Sequence, residues 1–343
     1  MSAGIAYPWT DPPGPGAAIE VRPGLLWLRL PLPMKLDHVN VFALDEPDGW
    51  TLVDTGLDWK AGRAALDAAL AGPLSGRPVR RLFVTHHHPD HIGGAGLLQA
   101  RFDAELITTR TSFLMARMLT LDVQDRPTAE AMAFAAASGM DADRLHARRD
   151  ERPFNFADVV APFGQSYTRV RAGDSLVLGG RRWTVRTGNG HAPEHATLWE
   201  EGGDLLLAGD QILPGISPHL GLYLTEPDAD PVAEWLASCR ALSNHSRRDH
   251  LVLPGHKMPF TGLAERLAQL IENHVSALDR VEAFLTEPRL APDCFTTLFR
   301  REIKDGEYAL ALSETLAHLN ALRHAGRARR EIDADGVWQW HRN

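Results

Sequence analysis

The chain has 343 residues, 44% of them hydrophobic and 7% aromatic, which is ample for a buried core and more than one average domain needs. A formal net charge of −8 argues against broad affinity for nucleic acid, which draws on cationic surface to neutralise phosphates. No run of about 18 apolar residues argues for a membrane-spanning helix, and Cys239 and Cys294, far apart and outside any C-x-x-C pattern, read as small buried apolar residues rather than a disulfide or ligands.

Met1 to Gly16, with Pro8, Pro12, Pro13 and Pro15 among glycines, has neither the basic start nor the apolar centre of an export signal. Residues 1–18 therefore read as an irregular arm, and the cytoplasm is the expected compartment. Short β-type segments are expected at Ile19 to Leu30, His38 to Leu44 and Trp50 to Asp54, then an Ala- and Leu-rich helix from Trp59 to Leu70. Strand, loop and helix recur from Val79 to Arg101. Helical patterns follow at Ser112 to Leu121 and Thr128 to Ala137, inside an insertion over about 110–170. Hairpins are expected at Ser175 to Arg186 and Ala196 to Asp210, turning at Gly179-Gly180 and Gly202-Gly203, where glycine permits positive φ. Ala229 to Leu242 and Leu263 to Leu285 read as helices. Strands with helices outside them predict a layered α/β domain over 19–285. Beyond Thr286, Pro288, Pro292 and Asp293 mark a connection. A helix from Glu307 to Arg323 and a hairpin from Ala328 to Trp340, turning at Asp335-Gly336, then resemble a winged-helix module over 286–343.

The chemistry is concentrated in Thr85-His86-His87-His88-Pro89-Asp90-His91, directly after the apolar run Arg81-Leu82-Phe83-Val84. Alternate residues of an extended segment point the same way, so His86 and His88 can converge on one ion while Asp90 and His91, where the chain turns, face a second. His87 is out of phase and is expected to point away. Three further apolar strands end in a glycine turn and a donor: Gly188-Asn189-Gly190-His191, Leu207-Ala208-Gly209-Asp210 and Leu253-Pro254-Gly255-His256. Strand ends are where a scaffold presents side chains to a shared site. Imidazole and carboxylate donors without thiolate suit zinc first, and also iron or manganese.

These residues resemble the metallo-β-lactamase-fold superfamily of hydrolases, through an H-x-H-x-D-H motif followed in order by single His, Asp and His ligands. The resemblance runs from about Leu25 to about Leu285. It takes in Val53-Asp54-Thr55-Gly56 and Gly190-His191-Ala192-Pro193-Glu194-His195, the latter similar to a G-H-x-P-G-H element in which Glu194 stands where glycine is usual. It implies a four-layer αββα sandwich with two divalent metal ions at one edge between the sheets. His86, His88 and His191 would hold the first ion, Asp90, His91 and His256 the second, and Asp210 would bridge them. A hydroxide shared by the ions would attack a polarised carbonyl, with Asp90 orienting the water. Asp54 and His195 would stand one shell out.

The insertion holds Met115, Met118, Met132 and Met140 beside Phe113, Phe134, Phe154, Phe156 and Phe163, a composition suited to an adaptable apolar cap over the site. With Met115 and Met118, His38 from an early loop and Tyr223 are the candidate substrate contacts. The glyoxalase II-like ligand set, the apolar insertion and the helical C-terminal region favour an acyl thioester or related ester with an apolar acyl part. Rival readings are a lactonase, a mononuclear iron persulfide dioxygenase, and a ribonuclease or phosphodiesterase. Arg323, His324, Arg327, Arg329 and Arg330 form a locally basic edge, but packing against the catalytic domain or a second copy of the chain is favoured over nucleic acid.

Overall fold

Alternation along the strands decides the layering. In the computed structural model, which describes residues 4–343, seven strands form one sheet in chain order. They are β1 (Ala18–Arg22), β2 (Leu25–Pro31), β3 (His38–Glu46), β4 (Gly49–Val53), β5 (Val79–Phe83), β6 (Glu105–Thr109) and β7 (Thr168–Val170). Pairing is antiparallel as far as β4 and parallel from there on. In the second sheet β8 (Ser175–Leu178), β9 (Arg181–Gly188), β10 (His195–Glu200) and β11 (Leu205–Gly209) form an antiparallel meander, and β12 (Leu251–Pro254) adds in parallel beside β11. Met1–Ala3, the head of the expected arm, lie outside the described residues.

Leu25 and Trp27 of β2, Phe42 and Leu44 of β3, and Leu205 and Leu207 of β11 meet Trp183 and Leu253 in a core between the sheets. Their neighbours in sequence face outward. Leu28, Leu30, Val39 and Val41 pack with Leu66, Ala69 and Leu98, which lie on helices Lys60–Ala71 and Ala95–Phe102. Leu206 and Ala208 pack with Trp235 and Leu267, on helices Pro231–Ser243 and Leu263–Phe284. Each large apolar side chain fully removed from water in this way contributes about 1.5–3 kcal/mol, so both faces of both sheets are covered and the order is αββα. Among the described residues no helix is long and apolar enough to cross a membrane.

The insertion contains three helices, Arg110–Leu121, Ala129–Ala137 and Ala142–Asp150, whose first turns are capped by the side chains of Thr109, Thr128 and Asp141. The third was not expected. It buries none of its residues, so it has no apolar stripe for a sequence pattern to reveal. At the other end of the chain, helix Tyr308–His324 is buried continuously from Thr315 to Leu322. The ribbon β13 (Ala328–Ile332) and β14 (Trp338–Arg342) follows it, with Gly336 at φ 84° in the turn. Helix and ribbon come in the expected order, but Leu316, Leu319, Leu322 and Trp340 share one core with Trp235 and Leu267 of the catalytic layers. The basic edge is spent on carboxylates of the same chain. Arg323 and Arg330 both pair with Asp228, Arg327 with Asp279 and Glu282, and Arg329 with Glu331.

Candidate metal centre

The His-rich motif changes conformation where its chemistry requires. After β5 the chain bends at His86 and His87 and reaches His88, which is the N-cap (φ −62°, ψ 146°) of a single helical turn, Pro89–Ile92, with proline at its first position. His86 and His88 thereby meet across the bend, Nε2 to Nδ1 at 3.0 Å, and His191 Nε2 comes within 3.3 Å of His86 Nε2. On the helical turn His91 Nε2 lies 3.6 Å from Asp90 Oδ2, and His256 Nε2 lies 3.3 Å from the same oxygen. Asp210 faces both groups. Its Oδ2 is 3.1 Å from His256 Nε2 and 3.6 Å from His191 Nε2, and its Oδ1 is 3.4 Å from His91 Nε2. All seven expected donors are thus brought together from the ends of strands in both sheets.

Outer groups fix how the rings present themselves. His91 Nδ1 donates to Asp54 Oδ2 at 2.8 Å, His191 Nδ1 to the carbonyl of His219 at 2.8 Å, and His256 Nδ1 to the carbonyl of His38 at 2.7 Å. Each bond turns the ring so that its other nitrogen, Nε2, points inward. His86 Nδ1 reaches Thr85 Oγ1 at 3.0 Å, and that hydroxyl in turn donates a hydrogen bond to Asp54 Oδ2 at 2.9 Å. Asp54 holds a left-handed conformation (φ 63°), and its Oδ1 also accepts the Thr85 N–H at 2.8 Å. This backbone strain is consistent with a carboxylate fixed beside the motif. His195 is fully buried, stacks on His86 at 4.5 Å and accepts the Asp210 N–H at Nε2, so it steadies the loop of Asp210 and does not face the cavity.

The donor set fits a cation by three observations. Nitrogen pairs at 3.0 and 3.3 Å match the ~3.3 Å edge of a tetrahedron whose metal–nitrogen bonds are ~2.0–2.1 Å. His91 Nε2 and Asp210 Oδ1 are buried without a hydrogen-bond partner. A methyl group on Gly255 would sit 2.2 Å from Asp210 Oδ1 and 2.8 Å from His91 Cε1, so glycine there keeps the space between the donors open. The electrostatics agree. Burial pushes His86 and His88 well below the usual imidazole range, leaving them neutral. Against the same burial, Asp210, Asp90 and Asp54 hold His91 well above that range, and Asp210 and Asp90 raise His256 to about 10. Those carboxylates therefore hold positive charge at the centre.

A cavity of about 630 Å³ opens over the donors, with His88, Asp90, His191, Asp210 and His256 in its floor. Met115, Leu119, Phe154 and Phe156 of the insertion form one wall, Leu213, Ile216, Pro218 and Tyr223 another, and Leu310 of the C-terminal helix a third. Two expected contacts, Met115 and Tyr223, are in place, and two need correction. Met118 is 43% exposed and lies outside the lining, one helical turn past Met115. The ring of His38 is held between Asp37 and the Lys257 N–H and borders a separate cleft with Pro13 and Pro31, so only its carbonyl serves the centre. His87 also departs from expectation. The chain bends before Pro89, and the ring packs on His88 at 4.7 Å and over Phe156 at 6.4 Å in the cavity wall. Phe154 and Phe156 belong to the apolar set expected of the cap, whereas His219 and Leu310 were not legible, because no motif marks them and they come from separate segments.

Glu194 shows what replaced the usual glycine. It too is left-handed (φ 51°), and its carboxylate accepts the Thr111 N–H at 2.9 Å and the Thr111 hydroxyl at 2.7 Å, while its carbonyl accepts from Thr109 Oγ1. The loop of His191 is thereby joined to the first turn of the insertion, where a negative charge is favourable.

An αββα sandwich that gathers imidazoles and carboxylates at one edge defines a class of metal-dependent hydrolases. The metallo-beta-lactamase superfamily pattern matches residues 34–266, and that of the metallo-beta-lactamase-like C-terminal domain matches residues 278–343. The chain belongs to the metallo-beta-lactamase superfamily and is a metal-dependent hydrolase. It is 26% identical over 304 residues to a probable metallo-hydrolase, YqjP, of Bacillus subtilis (strain 168), covering 86% of this chain and 91% of that one. Among solved structures it is similar to a beta-lactamase domain protein from Burkholderia ambifaria, with 36% identity, a TM-score of 0.89 and 99% and 98% of the two chains covered. A metallo-beta-lactamase family protein from Thermus thermophilus follows at 29% identity and a TM-score of 0.79, with 94% and 100% covered.

Proposed function

We propose that the chain is a dinuclear, zinc-dependent hydrolase of esters, with acyl thioesters the preferred class. One observation carries this reading. Asp210 lies within 3.6 Å of donors in both three-residue groups, directly beneath a cavity whose walls are apolar. His86, His88 and His191 would hold one ion, Asp90, His91 and His256 the other, with Asp210 between them. When bound, such ions lower the pKa of a coordinated water towards ~7 and polarise a carbonyl oxygen. The chain's own residues do the rest. Asp90, the more exposed of the two central carboxylates at 17% against 8%, accepts a hydrogen bond from the attacking water and sets its direction. Met115, Leu119 and Phe156 receive the acyl chain and keep bulk water from the reacting carbon, in a cavity of ordinary small-molecule size. Tyr223, in another wall of the same cavity, favours a lactone as the second substrate class, since its phenol can donate to a ring oxygen.

Metal analysis of protein purified without added metal, followed by turnover of acyl thioesters of rising chain length, lactones and phosphodiesters, tests the reading. Two equivalents of zinc and a thioester preference that strengthens with chain length are expected. One bound iron with oxygen uptake, or salt-sensitive phosphodiester cleavage, would replace it.

A further inference from the structure

The loop that follows Asp210 supplies a wall of the cavity and the carbonyl that orients His191, yet it is shaped from outside the catalytic layers. The first part is held by Arg266, 4% exposed, whose guanidinium donates to the carbonyls of Leu213 and Ile216, each at 2.7 Å. The stretch after that is tied at several points to the C-terminal helix. Leu222 exchanges two bonds with Ser313, its N–H to the Ser313 carbonyl at 3.0 Å and its carbonyl from the Ser313 hydroxyl at 3.1 Å. Asn320 donates to the carbonyls of Pro227 and Ala229 at 3.1 Å. Between these tethers, His219 Nδ1 bonds Glu314 Oε2 at 3.2 Å, and the carbonyl of the same His219 accepts from His191 Nδ1 at 2.8 Å. Space is tight around the pair. A methyl group on Gly221 would lie 2.5 Å from Ser313 Oγ, 2.6 Å from His219 Nε2 and 2.6 Å from the Tyr223 hydroxyl.

We infer that Glu314 is a positioning residue for the metal centre: through the His219 ring it fixes the His219 carbonyl, and through that carbonyl it sets the orientation of His191. The C-terminal helix thus tunes one ion position, that of His86, His88 and His191. The other donors are oriented from elsewhere, His91 by Asp54 and His256 by the His38 carbonyl, so the effect is confined to one of two sites. Loss of a group that orients a ligand typically weakens metal binding by about 10–100-fold. Glu314 acts one step further out, so about tenfold is expected.

The inference rests on the proposed ligand role of His191, and the test separates the two. Stepwise zinc binding is measured by competition with a chromophoric chelator on the full chain for Glu314→Ala, Glu314→Gln, His219→Ala and the double alanine variant. Glu314→Ala should weaken one stepwise constant about tenfold and leave the other within twofold. Glu314→Gln, which keeps an acceptor for the Nδ1–H, should restore it. His219→Ala and the double variant should match Glu314→Ala, because residues acting along one path do not add. Arg327→Ala, which removes ion pairs of the same module with Asp279 and Glu282 away from the loop, controls for destabilisation and should lower the melting temperature without changing either constant. Unchanged constants in Glu314→Ala, parallel loss of both, or additive effects would overturn the inference. Failure of the parent chain to bind two ions would instead overturn the ligand assignment.

Discussion

The floor and the walls of the cavity are built on opposite principles. In the floor His86, His91, Asp210 and His256 are buried, and four of the five histidines have their second ring nitrogen bonded to a fixed oxygen, from Thr85, Asp54, His219 or His38. In the walls Phe154 is 67% exposed and Leu310 59%, and contact is by unspecific apolar surface. Hydrogen bonds impose direction, whereas hydrophobic contact rewards area and tolerates exchange. The floor is therefore the part that defines a reaction, and the walls are the part that can be altered to choose a substrate.

The contrast can be broken most severely at Asp210. Asp210→Ala should remove the shared carboxylate and lower kcat/KM on the order of a thousandfold, with metal content falling in parallel by elemental analysis. Retention of both ions and of turnover would show that the two groups do not depend on a bridge. Asp54→Asn keeps a residue tolerated in the left-handed region but weakens the acceptor for His91 and Thr85. Metal affinity should fall about 10–100-fold in a chelator titration while the fold, followed by circular dichroism, is kept. In the walls, Phe156→Ala should raise KM for the longest acyl substrates several-fold and leave kcat within about twofold, the pattern of lost uniform binding. Equal losses for short and long substrates would mean that the ring supports the floor through His87 instead. Met118→Ala, at the solvent side of the same helix, should change stability by less than about 0.5 kcal/mol and leave the chain-length profile as it is.

The same contrast explains what could be read in advance. The seven donors were legible because each follows an apolar strand and most sit at a glycine or proline turn, a local signal that survives without knowledge of neighbours. A layered α/β domain was legible from strands with helices between them, but the αββα order rested on the family resemblance, since β2, β3 and β11 are apolar on both faces and carry no alternation of polarity. Walls and outer supports carry no such signal. Leu310 and Glu314 reach the site only because helix Tyr308–His324 packs beneath the loop after Asp210, a contact between segments some ninety residues apart. Met118 was misplaced because composition identifies a cap but not which side of its helix faces inward, and His38 because a histidine near a site can serve through its backbone alone. His87 was misplaced for a local reason, the bend into Pro89, which ends the alternation assumed for an extended chain.

Glu194 is at once the last residue of the turn carrying His191 and the anchor for the start of the insertion. The roof of the cavity and one of the candidate ligand rings consequently share a single post. An insertion exchanged with that of a relative would need residue 194 to travel with it. With glycine there, the turn would relax but the amide of Thr111 would lose its partner, and the newcomer would be hung from one side only.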